Sequence, residues 1–113
     1  MGTQLDRDLY AHALNAPPCR VQLSRSKGWR MPENTVKVDR TTRFGNPFRL
    51  DEGHAASVAA FRTWITSTPA GKTVAAAARD ELRGRNLACW CRLPEHAASD
   101  DCHAAILLEL ANG

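Results

Sequence analysis

The chain has 113 residues, a formal net charge of +3, and 43% hydrophobic and 24% charged residues, the profile of one soluble globular domain with a modest core. No apolar run approaches the length of a membrane span, and Met1-Gly2-Thr3-Gln4-Leu5-Asp6 lacks the basic-then-apolar order of a secretory signal. Four cysteines in such a chain point to reduced thiols or metal ligands in the cytoplasm rather than to disulfides, and a membrane partner is excluded.

In chain order, Leu5, Leu9 and Ala13 fall at helical spacing before Pro17-Pro18 stops the pattern, so residues 1–19 read as an N-terminal helix or arm. Arg20 to Ser24 alternates polar and apolar residues, as a half-buried strand does. The next segment, Arg25 to Asn34, is a basic loop with Gly28, Trp29 and Pro32, and Thr35 to Asp39 is a second alternating strand. Phe44-Gly45-Asn46-Pro47-Phe48 forms a turn, because Pro47 biases Asn46 away from helix and Gly45 allows backbone that a Cβ would obstruct.

From about Gly53 to Thr66, Val58, Phe61, Trp64 and Ile65 trace a helical face, and Pro69-Ala70-Gly71 ends it. Lys72 to Arg83 is a second helix with Val74, Ala78 and Leu82 inward, closed by Gly84. Asn86 to Cys91 is the third and most apolar strand. Ser99 or Asp100 is placed to cap a last helix whose core face is Ala105, Ile106, Leu108 and Leu110. The expected fold is a small single α/β domain over residues 20–113, a short three-stranded sheet flanked by helices, with a strand-loop-helix site near its C-terminal end.

Two constellations carry chemistry. In the first, alternation along a strand turns Cys89 and Cys91 to one side and Trp90 to the other, and Cys102-His103 opens the helix that follows. Cys89, Cys91, Cys102 and His103 are the donor set of a Cys3His zinc site, with His96 spare in the connecting loop. Alternatively Cys102, at a helix N-terminus beside His103, is a nucleophile, or Asp101 serves as a general base, with Asp100 and Asp101 opposing thiolate formation. The plain reading of Cys89 is a small core residue. Cys19, His12 and His54 have no partner in sequence and read as incidental or surface groups.

In the second, Arg20, Arg25, Lys27, Arg30, Lys37, Arg40, Arg43 and Arg49 lie within one stretch opposed only by Glu33 and Asp39. Arg25, Lys27, Arg30, Arg40, Arg43 and Asn46 suit a phosphate, and Trp29 or Phe44 suits a stacked base. The plain alternative is a solvated basic face with Trp29 and Phe48 as core anchors. No Walker or Gly-x-Gly-x-x-Gly pattern is present.

Arg20-Val21-Gln22-Leu23-Ser24-Arg25, Gly28-Trp29-Arg30-Met31-Pro32, Asn34 to Arg40, Gly45-Asn46-Pro47-Phe48 and Leu87-Ala88-Cys89-Trp90-Cys91 with Cys102-His103 together resemble a bacterial and phage family, domain of unknown function 4326. The final strand and Cys-His helix also resemble, more faintly, domain of unknown function 488. The resemblance implies that the two constellations form one site, and it brings no reaction. This chain has Ala104-Ala105 where the family pattern places an acidic residue, and a long acidic loop from Arg92 to Asp101. Three functions are therefore expected in order: binding of a nucleotide or a phosphate-bearing nucleic-acid component; an enzyme cleaving an N-glycosidic or phosphate bond with Cys102, His103 or Asp101; and a zinc-stabilised interaction module.

Overall fold

Leu87, Ala88 and Cys89 are all buried, as expected of a strand with neighbours on both sides in a covered parallel sheet. In the computed structural model, which describes residues 17–94 and 102–113, they belong to β3 (Asn86–Cys89). It is flanked by β1 (Arg20–Gln22) and β2 (Thr35–Lys37), giving the order β1-β3-β2. Both pairings are parallel, with Val21 opposite Ala88 and Val36 opposite Leu87. The ladder runs one step past each edge strand: the Leu23 amide donates to Cys89 O at 2.9 Å and the Val38 amide to Ala88 O at 2.8 Å. Because all three strands run the same way, their carboxyl ends, and the loops that leave them, lie at one edge of the sheet. That edge is where open α/β sheets receive ligands.

The helices are α1 (His54–Ser67), α2 (Pro69–Glu81) and α3 (His103–Asn112). The small α/β domain is the expected one, with several local corrections. Pro69 does not simply break a helix; it starts the next one, where its missing N–H costs nothing. Thr68 caps that start by accepting from the Gly71 amide at 3.0 Å while donating to Trp64 O at 2.7 Å. Thr68→Ala is expected to lower the urea midpoint by the equivalent of about 1 kcal/mol at unchanged slope.

The core comprises Val38, Phe61, Ile65, Leu82, Leu87, Ile106 and Leu107, each at most 2% exposed. Along α1 the expected face holds for Val58, Phe61 and Ile65, while Trp64 is half-buried, stacked on Phe61 at 5.9 Å and meeting Phe48 edge-on at 6.3 Å. The α3 face is turned from the expected one. Ala104, Ile106, Leu107 and Ala111 are buried, and Ala105, Leu108 and Leu110 only partly so. Cys102, not Ser99 or Asp100, is the N-cap of α3; Ser99, Asp100, Asp101, His96 and residues 1–16, where a helix or arm was expected, lie outside the described residues. Gly45 does not adopt a left-handed backbone. Its lack of a side chain serves a close approach instead, since a Cβ would lie 2.5 Å from Asp39 O and 2.6 Å from Arg40 Cα. Among the described residues no helix is long and apolar enough to cross a membrane.

Candidate functional site

β3 ends at Cys89, and the chain then bends at Trp90 and Cys91, which leaves the Cys91 sulfur beside that of Cys89. Their sulfurs lie 3.6 Å apart. Cys102, entering α3 with φ −144°, brings a third sulfur to 3.5 Å from Cys89. All three lie within 4.8 Å of one another, two of them buried, and could hold a metal ion. All four cysteines of the chain are free. Hydrogen bonding from Cys102, then from Cys91, holds the Cys89 thiol well below its ordinary pKa despite burial. The same bond to Cys89, with burial, pushes Cys102 far up. Cys91 is lowered by Cys102, but its bond to Cys89 and burial outweigh that and raise it.

His103 sits beside this cluster rather than within it. Its Nε2 is 2.6 Å from Val38 O, its Nδ1 is 3.8 Å from Cys102 Sγ, and its ring meets Phe61 edge-on at 5.4 Å. Burial fixes the ring, which is only 5% exposed. The imidazole nearest Cys91 is that of His54, the first residue of α1, with Nε2 4.0 Å from the sulfur.

Above the sulfurs opens a cleft of about 280 Å³ whose lining includes Asp39, Arg40, Thr41, Asn46, Arg49, His54, Cys89, Trp90, Cys91 and His103. Asp39, one residue past Val38 at the end of β2, organises it. Its Oδ1 accepts from the Thr41 hydroxyl at 2.5 Å and the Thr41 amide at 3.1 Å, and its Oδ2 from the Trp90 indole at 2.9 Å. Burial works to raise the Asp39 carboxyl, but the Thr41 and Trp90 donors and the charge of Lys37 outweigh it and hold the pKa below the usual value. Asn46 is buried and its side chain ties the turn down, donating to Ser57 O at 3.0 Å and accepting from the Phe48 amide at 2.9 Å. Arg40 donates to Asn46 O. Among the described residues, neither Arg40 nor Arg49 makes an ion pair.

The basic constellation thus divides. Arg40 and Asn46 line the cleft, and Arg25 lies with its guanidinium 4.5 Å over the Trp90 ring. Lys27, Trp29 and Arg30 are exposed on the β1–β2 loop and do not line the cleft. Arg43 pairs with Glu81 and covers Phe44, away from the cleft. Phe44 is no stacking platform: it is 6% exposed and belongs to the core. Asp101 lies outside the described residues. Sequence reasoning passed over Arg49, His54, Asp39 and Trp90 as site residues, and Arg20, whose Nη2 donates to Cys91 O at 2.6 Å. Arg20 and Arg49 carried a signal as members of the basic stretch, and Asp39 and Trp90 as residues beside a strand's carboxyl end; His54 carried none.

The family model of domain of unknown function 4326 matches residues 21–113, which takes in all of the sheet but Arg20, the three helices and the cleft. The chain belongs to this family. Searches of the curated proteins and of the solved structures give no significant match. In this member of the DUF4326 family the matched span includes every residue that lines the cleft.

Proposed function

We propose that the cleft binds a phosphate-bearing ligand of about mononucleotide size. The observation that carries this reading is the pairing of Arg40 and Arg49, with no ion-pair partner among the described residues, with the half-exposed indole of Trp90 across one cleft at the strands' carboxyl ends. Guanidinium forks match phosphate oxygens, and an aromatic face accepts a nucleobase whatever its identity. Arg25, stacked on Trp90, adds a further positive charge at the rim. A volume of about 280 Å³ lies at the small end for ligand pockets, which favours a mononucleotide over a dinucleotide.

Binding is favoured over turnover by the state of Cys102 and His103. Cys102 is fully buried, and the Nε2 of His103 is engaged by Val38 O. Neither is set up as a nucleophile or a proton carrier at the cleft surface.

The test is calorimetric titration at low salt with nucleoside monophosphates, with inorganic phosphate as a control. Saturable binding is expected, weakened about 10-fold or more in Arg49→Ala, a loss of roughly 1.4 kcal/mol or more, and weakened again as salt rises. Heat changes indistinguishable from dilution for every nucleotide would refute the reading.

A further inference from the structure

We infer that Cys89, Cys91 and Cys102 hold a zinc ion at the floor of the cleft and that His54 closes its coordination shell. This stands on different atoms from the phosphate reading and does not depend on it.

The spacing of the sulfurs is the first ground. A tetrahedral zinc site with Zn–S bonds of about 2.3 Å places its sulfurs about 3.8 Å apart. The Cys89–Cys91 and Cys89–Cys102 separations are 3.6 Å and 3.5 Å, so only a slight spreading admits the ion. These ligands come from two elements whose positions the core fixes. β3 is the central strand, and α3 packs its buried face behind it. Three thiolates are a soft donor set, which selects zinc over magnesium or calcium.

An imidazole completes a Cys3His tetrahedron, and two are near. Neither ring falls within the 4.8 Å that encloses the three sulfurs; His103, with Nδ1 3.8 Å from Cys102 Sγ, is buried and held by Val38 O at one side and by Phe61 at the other. To ligate, it would have to leave that position, and adjacent Cys102 and His103 would have to converge on one ion. His54 is exposed, lies at the start of a helix after Gly53, and has its Nε2 4.0 Å from Cys91 Sγ. The ideal S···N edge is about 3.5 Å for a Zn–N bond of about 2.0 Å, so a shift of about half an ångström brings this nitrogen to ligating distance beside Cys91. Three thiolates and a neutral imidazole leave the site one negative charge in excess, and the Arg20 guanidinium donating to Cys91 O stands next to it.

The full chain is stripped with chelator, reconstituted with zinc alone and analysed for metal, and a parallel sample is loaded with Co²⁺. One zinc per chain is expected, with thiolate-to-cobalt charge-transfer bands and the strong visible bands of tetrahedral Co²⁺. Both ligands chosen for substitution lie at the accessible side of the site. Cys91→Ser should remove the metal and weaken the charge-transfer bands, and His54→Ala should keep the circular-dichroism spectrum of the parent and bind zinc about 10-fold more weakly or worse. The inference is overturned if the reconstituted chain holds no zinc, or if purified protein carries stoichiometric iron or copper instead. It is equally overturned if the affinity falls in His103→Gln and not in His54→Ala.

Discussion

Phe61→Ala is expected to cost about 3–5 kcal/mol, a third or more of the stability of a domain this size. The ring is 0% exposed and joins elements distant in sequence. It stacks on Trp64 within α1 and meets the edge of His103 on α3. Truncation removes the transfer free energy of the ring and leaves a cavity between two helices that the short sheet holds in place. It also frees the His103 imidazole on the side away from Val38. Urea denaturation followed by far-ultraviolet circular dichroism should show the midpoint falling steeply, whereas Phe61→Leu, which keeps most of the volume, should lose much less. If the alanine variant unfolds within about 1 kcal/mol of the parent, the packing of α1 on α3 described above is wrong.

Asp39→Ala is expected to be nearly as severe, at about 3 kcal/mol, because it orphans three donors at once: the Thr41 hydroxyl, the Thr41 amide and the Trp90 indole. Bonds to a charged acceptor are worth roughly 1.5–3 kcal/mol each, and a buried donor left without one costs 1–3 kcal/mol, part of which water recovers at the cleft. The pH dependence has a definite sign. The folded carboxyl titrates below its unfolded value, so its stabilisation is fully present above the unfolded pKa and fades as pH falls through the folded one. The stability gap between the parent and Asp39→Asn should therefore be constant at neutral pH and shrink below about pH 4. A gap that widens on acidification would reverse the assignment. Trp90 fluorescence offers a local readout, because the variant removes the Asp39 carboxylate to which the indole donates.

Particular residues show why the sheet was legible in the sequence and parts of the site were not. Strands announce themselves by local alternation and by the apolar run of Asn86 to Cys89, and the Cys-x-Cys spacing implies a shared side without any tertiary knowledge. The strand directions were not read from the sequence, because β1 and β2 are joined by a loop alone and both pair in parallel with β3. Phe44 shows the limit. An aromatic beside a glycine turn reads equally as a platform or as core, and only the packing of the chain around it decides for the core. Arg43 faces Glu81, and His54 faces Cys91, across separations no periodicity reports. The opposite error occurred at Pro69, where the sequence held a full local signal, a threonine cap ahead of a proline, that outranks the breaker rule. The α3 face was misjudged because nearly every residue from Ala104 to Leu108 is apolar, so hydrophobicity alone marks no single direction.

The place of β3 in the sheet has a consequence for how the chain reaches this state. β1 and β2 bond only to β3, never to each other. During synthesis the first two segments must wait, with their backbone groups open to water, until residues beyond Asn86 have emerged from the ribosome. Sheet formation is thus a late, nearly single event that assembles the cleft and its sulfur floor together, and it places the burden of early protection on the helical hairpin of α1 and α2, the one part whose contacts are local.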